Sequence, residues 1–523
     1  MFEVIEKDEI ARIGKLRTRH GVIETPALFP VINPSRQYVD LGKIKELGFN
    51  QIITNAYIIR GAYGDTAKEV GLHELLGWDG PLMTDSGAYQ ILQYGNIEVS
   101  PDDALRYQVE IGSDIGVILD IPTSYPRPRE LVEVEVNETI RRARRAMLQL
   151  KELDPEHRML IVGPTQGGVY RDLLAYSAKA ISGLPFDIYA IGSPTTLLQA
   201  YNFTSIIKII LTVKSIVPFG KPIHLFGVGH PLILPLAVAL GIDLFDSASY
   251  MLYANDDRII LSSRTVRLSE LDKDYVLDGC GKRVGELMEM SKEERVRFIA
   301  QHNLWSLSRE VMEIKQRIRE HDIWGYVAQK ARQHPSVYRA YLTLKESPLF
   351  RRLVIKLASG LKVNATQLSI LDNSDLTRPE VQWARRRLRR LIKGMGDLTN
   401  ALIIIGDYEE PFIRTQVANE VIRIGVRAFT YNEVYGLIPI ELSDVYPFSQ
   451  TVRVNVKPRP IKYTLRDSII LVEDKYRDMV RFIKCSGECI IIYIDSLKNI
   501  RAYEKYIKLA LMKHATEGDA KPK

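Results

Sequence analysis

Aspartate closes two strand-like apolar runs in the first half of the chain, in settings that suit chemistry. Asp85 ends Leu82-Met83-Thr84 and opens Ser86-Gly87-Ala88-Tyr89-Gln90, and Asp246 follows Gly241-Ile242-Asp243-Leu244-Phe245 and precedes Ser247-Ala248. Two carboxylates on rigid strand ends can divide labour. One, kept protonated, donates to a leaving group while the other attacks or steadies positive charge. A single aspartate after a strand is as often the N-cap of the next helix, where its oxygen accepts an amide N–H. Asp120 and Gln166 also follow apolar runs, and three aspartates and a glutamine on one rim are harder to explain as caps.

The elements that would position these residues follow from periodicity. Apolar runs at 27–31, 51–54, 82–84, 115–119, 159–162, 188–191, 223–226 and 244–245 are separated by segments with helical spacing, such as 103–111 and 232–240. Eight strands alternating with helices predict an α/β fold, a closed parallel (β/α)8 barrel of the TIM type. Asn55, Asp85, Asp120, Gln166, Gly192, Gly227 and Asp246 follow the last seven strands and would line one mouth, where this architecture carries its active sites. Residues 1–25 alternate polar and apolar around Arg19-His20-Gly21, which predicts an N-terminal antiparallel hairpin.

The expected domains are a catalytic barrel with its hairpin over 1–275 and helices completing it over 276–357. A smaller α+β C-terminal region over 358–512 and a disordered tail over 513–523 follow. Within 286–345, Ser291 stands where an N-cap belongs, with Glu294 three residues on.

Composition narrows the setting. The 523 residues, 46% hydrophobic and 26% charged, suit a globular protein with one large core of about 250 residues and smaller domains. The amino terminus lacks the pattern of a signal peptide, and no uncharged run approaches the roughly 20 residues of a membrane span, so a cytoplasmic protein without membrane association is expected. Three cysteines cannot form a disulfide framework, and Cys485 and Cys489 read as buried thiols. The net charge of +7 favours a polyanionic partner. Two basic clusters sharpen that expectation: Arg141, Arg142, Arg144 and Arg145, and Arg385, Arg386, Arg387, Arg389, Arg390 and Lys393. A solvated helix face is the competing reading of each.

Six motifs in order carry a family likeness: Thr84-Asp85-Ser86-Gly87-Ala88-Tyr89-Gln90, Leu119-Asp120-Ile121-Pro122-Thr123, Thr165-Gln166-Gly167-Gly168, Ala190-Ile191-Gly192-Ser193, Gly227-Val228-Gly229-His230-Pro231 and Phe245-Asp246-Ser247-Ala248-Ser249-Tyr250. With Ala300-Gln301-His302-Asn303-Leu304-Trp305, Arg378-Pro379-Glu380-Val381 and Val445-Tyr446-Pro447-Phe448 downstream, the chain resembles the archaeal tRNA-guanine transglycosylases over nearly its whole length. The resemblance implies exchange of guanine 15 in the tRNA D-arm for the deazaguanine preQ0, the step that begins archaeosine synthesis. It implies Asp246 as the nucleophile of a covalent ribosyl intermediate and Asp85 as acid/base, although the opposite assignment stays open from sequence. Tyr89 and Phe226 match the positions that sandwich the base. Asp120 and Gln166 match those that read its polar edge, Gly192 and Ser193 would offer backbone groups, and Ser86 is a further contact. The expected partners are tRNA, the bases guanine and preQ0, and a second copy of the chain, with the Arg385, Arg386, Arg387, Arg389 and Arg390 cluster on tRNA.

Two departures from the family pattern stand out. Its structural zinc site, C-x-C-x2-C with a histidine on the next helix, is reduced to Cys280 and His302 within a loop reading Asp278-Gly279-Cys280-Gly281-Lys282-Arg283. Tetrahedral zinc needs four good donors, so no cofactor is expected to be required, zinc is expected to be absent, and an Asp278–Arg283 ion pair is expected to replace it. No PUA domain of the family's kind is expected after residue 458, which implies a separate PUA-containing protein or reliance on the barrel and the arginine cluster. Competing readings are an idle tRNA-binding paralogue, an archaeosine-synthase-like partner and a barrel glycoside hydrolase. Retention of both aspartates, the basic surface and the aromatic pair weigh against them.

Overall fold

All eight apolar runs become strands of one parallel sheet: β4 (Ala27–Pro30), β5 (Ile52–Asn55), β6 (Leu82–Asp85), β7 (Ile115–Val117), β8 (Leu160–Thr165), β9 (Ile188–Ile191), β10 (Ile223–Leu225) and β11 (Leu244–Ser247). In this computed structural model, which describes residues 2–88, 100–192, 195–358, 367–396, 398–407, 411–458, 464–500 and three isolated positions beyond, the sheet runs from β5 through β11 to β4. A parallel bridge between Val31 and Ile53 joins β4 to β5 and closes the barrel. Inward side chains of alternate residues, including Phe29, Ile53, Met83, Ile115, Val162, Ile188 and Leu244, form one buried cluster. Each such side chain removed from water contributes about 1.5–3 kcal/mol, so the strand ends are carried on a filled, rigid core.

The N-terminal segment forms three strands, not the expected hairpin: β1 (Phe2–Asp8), β2 (Ala11–Thr18) and β3 (Gly21–Thr25), all antiparallel. The additional turn falls at Glu9-Ile10, where Glu9 adopts φ 55°. That pair carries none of the Gly, Asn or Pro chemistry that marks a turn in sequence, whereas the glycine turn at Gly21 was legible.

Two buried polar clusters tie this sheet to the end of the barrel opposite the aspartates. Asp114, just before β7, receives His20 Nδ1 on one oxygen and His73 Nε2 on the other, each at 3.0 Å, together with the backbone N–H groups of His20 and Leu82. Four partners saturate that carboxylate. Arg12 on β2 forks onto Asp243 with Nε–Oδ1 2.7 Å and Nη2–Oδ2 2.8 Å, and the same carboxylate accepts the Ile223 N–H. Both side chains are buried, so Asp243→Ala would leave an uncompensated guanidinium inside the protein. Urea or thermal unfolding of that variant is expected to reveal a loss of about 3–5 kcal/mol; a loss below about 1 kcal/mol would mean that water reaches the site.

The chain divides into two compact units, Met1–Leu353 and Val354–Lys523. Long helices complete the first, among them Lys292–Arg319, whose N-terminus Ser291 and Glu294 close as a reciprocal capping box. The second combines strands and helices around a five-stranded sheet in the order Gly436–Pro439, Arg427–Asn432, Ala401–Ile405, Ile469–Glu473, Ile490–Ile494. Three of its four pairings are parallel. Two apolar clusters, one containing Leu402, Ile404 and Leu471 and the other Ile403, Ile405 and Ile470, use alternate residues of the same strands, so both faces of the sheet are covered.

Cys485 and Cys489 are corrected: they are joined as a disulfide, and Cys485 is exposed. Among the described residues no helix is long and apolar enough to cross a membrane.

Candidate active site

The mouth at the C-terminal ends of the barrel strands gathers the polar residues by register. β5 pairs with β6 so that Asn55 lies beside Asp85. Asn55 Oδ1 accepts the Tyr57 and Ile58 N–H groups, capping the helix Ala56–Tyr63, and this commitment turns its amide nitrogen to Asp85 Oδ2 at 3.2 Å. Burial pushes the Asp85 carboxyl up to about 7, with the negative charges of Asp120 and Asp246 adding to the effect and the Ser86 and Gly87 N–H groups opposing it. Asp120 and Asp246, at the ends of other strands of the same sheet, lie near enough for their charges to act on Asp85.

Asp120 follows β7 and is buried; loss of solvent raises its carboxyl to about 6, against a hydrogen bond from Gln166 that favours the anion. Gln166 Nε2 donates to Asp120 Oδ2, while its Oε1 accepts the Thr123 N–H at 3.0 Å. Both ends of the amide are therefore assigned. Gly192 faces this pair: a Cβ there would collide with the Gln166 side chain, so only glycine lets the β9 backbone come so close.

Asp246, on β11, accepts the Gly227 N–H at Oδ1 (2.9 Å), and His224 Nε2 stands 2.9 Å from the same oxygen. Gly227 takes φ 71° to present that N–H, a conformation that a side chain would strain. Phe226, half-buried, stacks at a tilt on His224 with ring centroids 4.3 Å apart. Separate contacts thus hold Asp85 to Asn55, Asp120 to Gln166 beside Gly192, and Asp246 to His224 and its neighbour Phe226. Ser86 is buried and its hydroxyl donates to the Ile118 carbonyl at 3.2 Å, so it braces β6 against the strand beside it. Tyr89 and Ser193 lie outside the described residues.

A family model described as queuine tRNA-ribosyltransferase matches residues 7–336, which hold the whole barrel and the helices Lys292–Arg319 and Ile323–Ala331. The chain belongs to this family. Similar proteins include the tRNA-guanine(15) transglycosylase of Pyrobaculum aerophilum, 46% identical over 457 residues (86% of this chain, 89% of the relative). That of Sulfolobus acidocaldarius is 38% identical over 507 residues (95% and 97%), and that of Pyrococcus abyssi 41% over 409 residues (76% and 67%).

Within this family member, the loop at 278–283 is fastened to its helix by hydrogen bonds. Gly279 N donates to His302 Nδ1 at 3.2 Å, Gln301 Nε2 donates to the Gly279 carbonyl at 2.8 Å, and His302 stacks on Trp305. Burial holds His302 down to about 4, neutral at any working pH. The Cys280 thiol approaches the Leu277 carbonyl at 3.5 Å. These donors do not fit a zinc ion: the histidine nitrogen is occupied by an amide, and one thiol cannot complete a tetrahedron. Arg283 pairs with Asp274 at 3.3 Å, not with Asp278, and both partners are exposed. Such a pair adds little stability, so the expected Asp278–Arg283 replacement crosslink is corrected to the Gly279–His302–Gln301 hydrogen bonds.

The two basic clusters part company. Arg141 and Arg142 bind Glu138 at 2.7 and 2.8 Å, and Arg145 binds Asp102, so local acids offset that cluster. The second lies on the helix Pro379–Gly394, which buries Val381, Ala384, Leu388 and Ile392 at helical spacing. Arg385 turns inward, its Nε donating to the Val434 carbonyl at 2.6 Å, and Arg387 lies over the Trp383 ring at 4.9 Å. Arg387, Arg389 and Arg390 are exposed, and none forms an ion pair among the described residues.

Proposed function

We propose that this chain is a tRNA-guanine(15) transglycosylase that replaces guanine with preQ0 at the same ribose. The observation that carries the reading is the placing of Asp85 and Asp246 at the same end of one barrel, one carboxyl raised to about 7 by burial and nearby acids and the other oriented by two donors. Breaking an N-glycosidic bond develops positive charge at C1′ and negative charge on the departing base. Asp246 attacks C1′, the C1′–N9 electron pair leaves with guanine, and Asp85 supplies the proton that neutralises the base. The incoming base then loses its N9 proton to Asp85, its nitrogen attacks C1′, and the bond to Asp246 breaks. Every atom and electron pair is returned, so the exchange needs no cofactor, and we expect zinc analysis of protein purified without chelator to give well under one ion per chain. One zinc per chain would overturn that expectation.

The nucleoside must leave its stack to reach the mouth. Phe226 supplies a flat surface, and Asp120, Gln166 and the Gly192 backbone are assigned to the polar edge of the base; the family motifs give Tyr89 and Ser193 the matching roles. The assigned amide of Gln166 supports edge reading, because its free hydrogen-bonding positions are fixed before the base arrives. For tRNA affinity we assign the exposed Arg387, Arg389 and Arg390, with Arg386 beside them. Arg385 also acts as a brace, its Nε held by the Val434 carbonyl. Reversing the charge of Arg387, Arg389 and Arg390 together should weaken tRNA binding at least tenfold and lower the salt slope by about two to three, roughly one for each phosphate that is no longer neutralised; unchanged binding would remove this helix from the interface. A homodimer and cytoplasmic action complete the reading. Incorporation of labelled guanine into unmodified tRNA is the direct test, and a chain that binds tRNA yet never incorporates label is the idle paralogue.

A further inference from the structure

We infer that His224 is a positioning residue that selects which oxygen of Asp246 attacks the ribose, by donating a hydrogen bond to the other oxygen. The inference rests on Asp246 being the nucleophile. His224 is wholly buried in the middle of β10, between the buried Ile223 and Leu225 and level with the apolar Ala190 and Leu244 of the neighbouring strands. Its ring is held by Phe226 at 4.3 Å and Phe29 at 6.0 Å between centroids. One nitrogen, Nε2, is 2.9 Å from Asp246 Oδ1; the other, Nδ1, is buried without a hydrogen-bond partner among the described residues.

That asymmetry assigns the tautomer. A proton on Nδ1 would be a buried donor with nothing to receive it, a loss of about 1–3 kcal/mol. A bare Nδ1 is only an unused acceptor, which is the milder case. The proton therefore sits on Nε2 and points at Asp246 Oδ1. A second donor, the Gly227 N–H, reaches the same oxygen at 2.9 Å. Oδ1 is held twice, while Oδ2 accepts no hydrogen bond among the described residues. The stronger nucleophile is the less solvated oxygen, and Oδ2 is left to form the bond to C1′.

The same geometry serves the return step. In the covalent intermediate Oδ2 carries the ribose and Oδ1 is an ester carbonyl still facing both donors. When the incoming base attacks C1′, the C1′–Oδ2 electron pair returns to Asp246, and negative charge builds on a carboxylate already facing two N–H groups. Hydrogen bonds to a charged acceptor are roughly twice as strong as to a neutral one, so both donors favour departure of Asp246 from the sugar. His224 transfers no proton in either step.

The experiment compares His224→Phe, which keeps the aromatic volume and lacks the donor, with His224→Gln, whose amide N–H can reach Oδ1. In guanine exchange His224→Phe is expected to lower kcat about 10- to 100-fold, with KM for tRNA and for guanine within about twofold. His224→Gln is expected to recover kcat to within about threefold of the parent. Thermal melting of each variant reports whether it folds, and His224→Leu serves as the donorless partner should the phenylalanine variant unfold. Equal kcat in the donorless variant and His224→Gln overturns the inference, as does a loss expressed only in KM. Asp246→Asn in the same assay separates the layers. If it is inactive while His224→Phe matches the parent, only the positioning role falls; if Asp246→Asn exchanges normally, the assignment of the nucleophile falls first.

Discussion

Replacing Asp246 with asparagine is expected to reduce guanine exchange by at least about 10⁴-fold while leaving tRNA affinity within a few fold. The magnitude follows from the role: removing a nucleophile deletes the intermediate itself, and losses of about 10⁴–10⁶ in kcat are typical when a group of this kind is removed. Asparagine fills the same volume and still accepts the Gly227 N–H, so the strand and its neighbours should be undisturbed. Its amide nitrogen, however, is not nucleophilic at neutral pH. On the proposed reading tRNA binding rests on surface arginines and stacking, neither of which the substitution touches. Rapid-quench exchange beside filter binding checks both halves. Loss of binding in step with activity would show that Asp246 holds the fold or the substrate and not the sugar carbon.

Substitution of Asp85 by asparagine is expected to lower kcat about 10²- to 10⁴-fold, the usual range for removing a general acid–base, and to change two pH dependences. With its carboxyl raised to about 7, Asp85 is protonated below that pH and able to donate to departing guanine; above it the anion can accept the proton of the incoming base. Exchange needs both forms in succession. The parent's kcat should therefore peak near pH 7 and fall on both sides, and the variant's residual rate should lose the peak. Asp120, raised to about 6, titrates on the acid limb and steepens it.

Stability moves the other way. A carboxyl whose folded pKa lies above its unfolded value binds more protons when folded, so stability declines as pH rises from about 4 to about 7. Asp85→Asn removes that penalty. It should melt above the parent at pH 8 and close to it at pH 4. Identical melting temperatures at pH 8 would mean that the site tolerates the anion without strain.

Legibility in the sequence tracked periodicity. All eight barrel strands announce themselves as short apolar runs because each is buried on both faces, and the rim residues follow from where each run stops. The third N-terminal strand did not, since Glu9-Ile10 turns without turn residues and only the closed sheet enforces its φ of 55°. His224 is hidden for a related reason. In Ile223-His224-Leu225 it looks like a core histidine, and only the parallel register of β10 with β11 brings its nitrogen to Asp246. Arg385 reads as one more basic residue in a cluster until the helix is packed and its guanidinium meets the Val434 carbonyl. Asp278 and Arg283 carry opposite charges five positions apart, yet the turn geometry sends Arg283 to Asp274. In each case the deciding factor is contact between segments distant in sequence or the local path of a turn, neither of which spacing encodes.

Trapping the covalent intermediate tests the central claim most directly. Parent protein mixed with unmodified tRNA and quenched in denaturant should yield a protein–tRNA adduct that guanine discharges when added before the quench, and mass spectrometry after nuclease and protease digestion should find the ribose on the peptide containing Asp246. Asp85→Asn should slow the adduct without moving it. A ribosyl ester on Asp85, or adduct persisting in Asp246→Asn, would contradict the account.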